Sequence, residues 1–405
     1  MKPTVLLPIF PKEIENWWWS RAQEKWPEMG EEKRLNLLRQ EIVEQSDRFN
    51  KSRSFDSSSY GSRDLSILAY GNFYFSRTWM AVLFAVAETL TRCHWTIPKN
   101  GPIRILDLGS GSGASGLACL SLIRFLGIQN PIELHAWDYS SKSLHYLKDL
   151  HRACYNLWPD SKVYPKRSDL RFQIQEKKKY RYDLLLLGYS LNEIREEQEL
   201  LESVQWLKQA SKVLKRSGCL IITEPAESQI CRNLHEIMDH LVKDGKNLFH
   251  FAPYLNGLPC PMTRNESKYF SHEVRRYPTI ETVEKINRPL HLEIREVKFG
   301  LSILGLEEPE IKYPPLHFLR IISPVKKRKG TISFLGLAAD GVEYYYEFQR
   351  REMSEEAKNN LLYLERGDVL RIEANLEIKE GNRIRLSEKD LKPIFLPRFA
   401  KSKNQ

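Results

Sequence analysis

The stretch Ile105-Leu106-Asp107-Leu108-Gly109-Ser110-Gly111-Ser112-Gly113-Ala114-Ser115-Gly116 constrains this chain more than any other. An apolar run enters it, and a small-residue apolar pattern leaves through Leu117-Ala118-Cys119-Leu120. That order reads as strand, glycine turn, helix. Glycines permit positive φ and let backbone approach a ligand closely. The unpaired N–H groups at the helix start then face whatever sits there. Glycine spacing alone also fits dinucleotide sites. Asp107 at the strand end weighs against one, because a carboxylate there repels a pyrophosphate and suits the ammonium of an amino-acid-like ligand. A dinucleotide unit, or a turn that binds nothing, is the alternative.

Written as apolar-Asp-Leu-Gly-x-Gly-x-Gly, the stretch resembles the first motif of the S-adenosylmethionine-dependent methyltransferases. The resemblance implies an α/β fold, with a Rossmann-like seven-stranded sheet. It makes Asp107, Gly109, Ser110, Gly111 and Gly113 cofactor-binding candidates. Ile132–Asp138 is the second strand, and the spacing of its terminal carboxylate suits ribose recognition by Asp138; an acidic helix cap is the alternative. Lys162–Tyr164 is a short strand, after which Ser168 and Asp169 could meet the adenine amino group, unless Asp169 is a solvated loop acid. Tyr182–Leu187 has the unbroken apolar character of a central parallel strand. It runs into Gly188-Tyr189-Ser190-Leu191-Asn192-Glu193, which would lie over the methyl donor. Tyr189 joins the cofactor set. Asn192 and Glu193 are the catalytic candidates, with helix capping as their alternative role.

Lys and Arg exceed Asp and Glu by 62 to 52, which favours a polyanionic partner such as RNA. The six cysteines form no Cys-x-x-Cys pair, and a reducing cytosol suits them. The start of the chain lacks the pattern of a signal peptide, and no apolar run has the length of a membrane span. A cytoplasmic protein without a membrane partner is expected.

Four parts are expected. Residues 1–100 form a helical region, with Trp17, Trp18, Trp19 and Trp26 as a packing cluster or a base-stacking one. Within it, Asn50–Arg63 reads as a mobile basic loop or an RNA-touching one, and the helices over Asp64–Thr91 could form one wall of the pocket. Residues 101–325 form the methyltransferase domain, with a loop insertion at about 250–290. There, His291–Leu304 and Leu316–Ile322 read as an antiparallel pair closing the sheet edge. Residues 326–396 suggest a small OB-like β-barrel, opened by Lys326-Lys327-Arg328-Lys329, four cations suited to RNA phosphates or to a solvated linker. Residues 397–405 are a tail.

Taken in order, several further segments resemble the methyltransferase-like family of mitochondrial small-ribosomal-subunit assembly factors and its bacterial branch. They are Leu68-Ala69-Tyr70, the glycine motif, Tyr182-Asp183-Leu184, Leu191-Asn192-Glu193, Glu224-Pro225, Ala252 to Pro261, Phe270-Ser271, Val274-Arg275-Arg276 and Arg366-Gly367-Asp368. The resemblance implies binding to small-subunit rRNA or the pre-ribosomal small subunit, by a methyltransferase or by an assembly factor that uses the fold to grip RNA. Many family members hold an iron–sulfur cluster. Here Tyr254 stands at the first cysteine position, Cys260 keeps the second, and Ser267-Lys268-Tyr269 replaces Trp-Cys-His. One thiolate cannot hold a cluster that needs about four ligands, so no metal is expected, and Tyr254 and Tyr269 are expected to fill the space by packing. Pro259-Cys260 lies too far from the fourth strand to be a nucleophile there. A small-molecule methyltransferase is a distant third reading.

Overall fold

The computed structural model describes residues 1–47, 61–93, 95–171, 180–195, 199–243, 248–263, 269–290, 295–309 and 312–400. The basic loop expected over 50–63 falls largely outside them, as do Ser267 and Lys268.

The chain starts with β1 (Val5–Leu7), α1 (Lys12–Lys25) and α2 (Glu31–Asp47), followed by α3 (Asp64–Ala69) and α4 (Phe75–Thr91). Pro11 precedes α1, acids occupy its first turn and Lys25 its last, which suits the helix dipole. Its Ile14, Trp18 and Ala22, four residues apart, form one buried face. Trp18 is 1% exposed, stacks on Tyr146 at 5.7 Å and meets Trp17 edge-on at 4.9 Å. The tryptophan cluster is therefore a packing device. Between α3 and α4, Tyr70–Tyr74 forms a π-helical turn.

The alternating region runs through β2 (Ile103–Leu108), α5 (Ala114–Phe125), β3 (Ile132–Asp138), α6 (Ser141–Ala153), β4 (Ser161–Arg167) and β5 (Tyr182–Gly188). It continues through α7 (Leu191–Ile194), α8 (Leu200–Ser211), β6 (Leu214–Pro225), α9 (Ser228–Val242), β7 (Phe249–Ala252), β8 (Glu273–Arg276), α10 (Glu281–Asn287) and β9 (Glu296–Gly305). The strands order as β4-β3-β2-β5-β6-β9-β7, with β8 added to β9. Pairing is parallel from β4 to β6, and β9 is antiparallel to both neighbours. The expected seven-strand path is present, with an eighth strand attached. Period-two alternation divides the apolar strands between two cores. Leu184 and Leu186 face the core that holds α4 and α5, whereas Leu185 and Leu187 face the one that holds α8 and α9.

The second sheet is built from β10 (Phe318–Ile321), β11 (Lys326–Lys327), β12 (Thr331–Ala338), β13 (Glu343–Gln349), β14 (Val369–Ile372), β15 (Ile378–Lys379), β16 (Arg383–Arg385) and β17 (Leu391–Phe395), with α11 (Glu355–Leu362) between β13 and β14. Its order is β15-β16-β13-β12-β10-β14-β17, with β11 on β12. The hairpin expected around Asp340-Gly341 joins β12 to β13.

Two expectations are corrected here. The sheet does not close into a barrel among the described residues: β15 is two exposed residues long, and β17 pairs only with β14. Nor does Phe318–Ile321 close the first sheet. It lies between β12 and β14, because Leu319 and Ile321 bury among Ile332, Phe334 and Leu370. The second sheet thus begins at residue 318, ahead of the cationic run. A last strand, β18 (Pro397–Phe399), pairs in parallel with β1, so part of the expected tail is ordered.

A buried ladder of alternating charge joins the two sheets: Arg92, Glu88, Arg320, Glu273, Arg275, Asp368 and Arg398, each at most 6% exposed. Arg92 donates to Glu88 at 2.8 and 2.6 Å. Arg320 donates to Glu88 at 2.7 Å and to Glu273 at 3.0 Å. Arg275 lies 3.5 Å from Glu273 and donates to Asp368, which also accepts from Arg398 at 2.8 Å. Gly367 has φ +97°, and a Cβ there would lie 1.5 Å from Glu273 Oε2, so the ladder needs glycine in the Arg366-Gly367-Asp368 segment.

Candidate functional site

A cavity of about 560 Å³ opens at the carboxyl ends of the parallel strands. This is where ligands bind in open α/β sheets. Its wall includes Gly109, Ser110 and Gly111 after β2, Asp138 and Tyr139 at β3, Ser168–Arg171 after β4, and Gly188–Ser190 with Asn192–Ile194 at β5. The helical region adds Tyr70, Phe73, Tyr74, Arg77 and Thr78, the wall expected of it. Of the candidates read from the sequence, Gly109, Ser110, Gly111, Asp138, Asp169, Tyr189, Asn192 and Glu193 meet at this cavity.

Asp107 and Gly113 are not part of the wall. Asp107 is fully buried, and its Oδ2 accepts from the Gly116 N–H of α5 at 2.9 Å. Its Oδ1 has no partner among the described residues. Burial pushes its carboxyl up to about 7. Gly113 sits beneath the turn, where a Cβ would lie 2.2 Å from Leu147.

Asp138 ties the glycine turn to β3. Its Oδ2 accepts from Gly111 N–H at 2.8 Å and its Oδ1 from Ser140 N–H at 2.8 Å. Burial pushes its carboxyl up to about 6. Each oxygen keeps a second lone pair for a hydroxyl. Gly109 has φ +72°, and a Cβ there would lie 2.5 Å from Ser190 Cβ. Ser190 Oγ in turn donates to the Leu108 carbonyl at 2.8 Å, clamping the ends of β2 and β5. Asp169 accepts from Arg171 at 2.6 Å, and that bond holds its carboxyl below the usual range.

Tyr189 has φ +59°, a left-handed backbone that is costly for a bulky residue and occurs at functional sites. Its hydroxyl donates to the Lys298 carbonyl at 3.3 Å, and burial raises its pKa. Glu224, at the end of β6, accepts from the N–H groups of Leu191 and Asn192 at 2.9 and 3.3 Å, so it caps α7 in place of the cap expected from Asn192 or Glu193. Burial raises Glu224 well above the carboxylate range. Asn192 Oδ1 and Ser110 Oγ are shut from solvent without a hydrogen-bond partner among the described residues. Sequence reading missed Tyr74, Arg77, Glu224 and Lys298. Only Glu224, at the end of the apolar strand β6, carried a local signal.

The residues fit adenosylmethionine. A Cβ at Gly111 would meet open space, Asp138 retains acceptor capacity for two hydroxyls, and Ser110 Oγ is a polar atom in need of a partner.

The other candidates lie elsewhere. Lys326, Lys327, Arg328 and Lys329 are exposed on and beside β11, and none lines the cavity. Cys260 is 2% exposed. Its thiol is pushed up to about 11 by burial and accepts from Tyr254 Oη at 2.5 Å. That argues against a nucleophilic role. Tyr254 packs with Cys260, Met262 and Leu337 as expected. Tyr269 does not: it is 69% exposed, and its carbonyl accepts from Arg232. Among the described residues, no three His, Cys, Asp or Glu side chains converge as a metal ligand set.

A family model described as mitochondrial small ribosomal subunit Rsm22 matches residues 66–341. The chain belongs to the Rsm22 family. The matched residues of this Rsm22-family chain take in the first sheet and most of the cavity wall, but not Ile42, Val43 and Ser46 of α2. No curated protein matches it. Among solved structures, a Listeria monocytogenes protein described as a class I S-adenosylmethionine-dependent methyltransferase is 13% identical, with 75% of this chain and 90% of that one covered and a TM-score of 0.39. MNMC2 from Aquifex aeolicus is 12% identical over 58% of this chain and 63% of that one, with a TM-score of 0.32. The match to the citrinin polyketide synthase CMeT domain, at 15% identity and a TM-score of 0.28, covers 51% of this chain and 47% of that one.

Proposed function

We propose that this Rsm22-family chain binds S-adenosylmethionine in the cavity and acts on, or grips, small-subunit rRNA during assembly of the ribosomal small subunit. The observation that carries the cofactor reading is the meeting of Gly109–Gly111, Asp138 and Asp169 around one cavity at three adjacent strand ends. Family membership supports the small subunit as the setting. The exposed Lys326–Lys329 run and the formal net charge of +10 support RNA as the partner.

In this reading Asp138 receives the ribose hydroxyls. The Gly109–Gly111 backbone passes beside the amino-acid moiety, and Asp169 or Ser168 meets the adenine edge. Asp107 acts through α5: its bond to Gly116 N–H fixes the start of that helix under the turn. Adenosylmethionine, when bound, supplies a methyl group already activated by the sulfonium. What remains for the protein is alignment of the acceptor and exclusion of water. In this reading Tyr189 and Asn192 serve that alignment.

Isothermal titration with adenosylmethionine tests the cofactor reading. One site per chain is expected. Gly111→Arg, which points a long side chain into open space, is expected to abolish the heat. An athermal wild-type titration would overturn the reading. Labelled-methyl transfer to immature small subunits then separates an enzyme from a factor that only grips RNA.

A further inference from the structure

We infer that the half of the cavity beyond β5 is a receptor for one unstacked nucleotide of single-stranded RNA, with its base against Tyr70, Tyr74 and Tyr189 and its phosphates at Arg77 and Lys298. This rests on the cofactor reading, which fills the other half.

The strand order makes the division. The cavity runs past the ends of β4, β3, β2, β5 and β6 and reaches β9. Neighbouring strands lie about 4.8 Å apart, so five gaps span roughly 24 Å. The adenosylmethionine contacts lie at β2, β3 and β4. What remains lies at β5, β6 and β9, and Tyr70 and Arg77 of the helical wall come within electrostatic reach of Tyr189 at the end of β5.

Its chemistry is that of a nucleotide. The Tyr70 and Tyr74 rings stack 6.3 Å apart at 28°, and Tyr189 holds its left-handed backbone across the wall. Aromatic surface of this kind accepts any base, because every base has a π face. Asn192 Oδ1 is a buried acceptor without a partner among the described residues, suited to a base N–H. Arg77 reaches over Phe73, its guanidinium 6.0 Å from the ring centroid. Neither Arg77 nor the exposed Lys298 pairs with a carboxylate among the described residues. A small apolar acceptor or a peptide side chain gives no use for two unpaired cations beside aromatic rings, whereas a nucleotide uses both. A duplex does not reach such a wall, so the base must leave its stack.

The test uses the full chain and a single-stranded RNA of about twelve nucleotides with one central 4-thiouridine. Photocrosslinks are mapped by mass spectrometry, and affinities are measured by fluorescence anisotropy across a salt series. Crosslinks at Tyr70–Arg77 or Tyr189–Glu193 are expected. Tyr74→Ala should weaken binding about tenfold, and Tyr74→Phe, which keeps the ring, should hold wild-type affinity. The double variant Arg77→Ala with Lys298→Ala should lower the log–log salt slope by about 1.4. Bound RNA with crosslinks only elsewhere, or with a full-affinity Tyr74→Ala protein of unchanged melting temperature, overturns the site. An adenosylmethionine titration of the wild type runs in parallel. Heat there with crosslinks elsewhere sinks the nucleotide site alone. No heat with crosslinks in place removes the cofactor reading and supports the nucleotide site.

Discussion

Glu88→Gln is the sharpest probe of how the two sheets are joined. Glu88 is 1% exposed and lies between the Arg92 and Arg320 guanidinium groups. Burial opposes its charge, but the attraction of Arg320 and Arg92 prevails and brings its pKa from 4.5 to about 2. That displacement corresponds to roughly 3.4 kcal/mol at neutral pH. Glutamine leaves two buried cations short of a counter-charge, a change that typically costs about 3–5 kcal/mol. The two routes agree on a loss of about 3–4 kcal/mol, measurable by equilibrium urea unfolding followed through tryptophan fluorescence. The folded pKa lies below the unfolded one. The contribution is therefore complete above about pH 4.5 and fades as pH falls toward 2. The gap between wild type and variant should narrow by roughly 2 kcal/mol from pH 7 to pH 3. A loss under about 1 kcal/mol at pH 7, or a gap indifferent to acid, would refute the ladder as a joint.

Asp107→Asn should have the opposite pH signature. The folded carboxyl titrates near 7, above its unfolded value, so the wild type loses stability as pH rises from about 4 to 7. The variant should melt higher than wild type at pH 8, by up to roughly 4 kcal/mol in stability, and no higher at pH 4; differential scanning fluorimetry at the two pH values reads this. Trp18→Ala should cost about 3–5 kcal/mol, and a variant with a wild-type urea midpoint would remove the packing role of the cluster. Elemental analysis of purified protein is expected to find no stoichiometric iron; about four irons per chain would contradict the reading of Tyr254 as a replacement for a cluster ligand.

The glycine turn and the leucine run of β5 were legible because local rules alone decide them. A positive-φ turn demands glycine, and a strand buried on both faces demands an unbroken apolar run. Phe318–Ile321 was not legible: four alternating residues fit either sheet, and the choice rests on a core assembled from distant segments. The charge ladder was hidden for a similar reason. Glu88, Arg275 and Arg320 carry side chains usually found in water, and only tertiary pairing lets them be buried. In the site, Gly109, Gly111 and Asp138 followed from spacing. The depth of Asp107 and the approach of Arg77 and Lys298 depended on how far each strand and helix extends. Tyr269 is exposed, and an aromatic side chain read from sequence alone carries no signal of that.

Thr4 and Leu396 bond to each other across 392 positions of chain, beside the parallel pair of Val5–Leu7 and Pro397–Phe399. During synthesis Val5–Leu7 stays without this partner until Pro397–Phe399 has been made. Loop closure over such a length costs only slightly more than over half of it, so the delay is one of timing more than of energy. A product cut short before residue 397 would leave Val5 and Leu7 with an open flank.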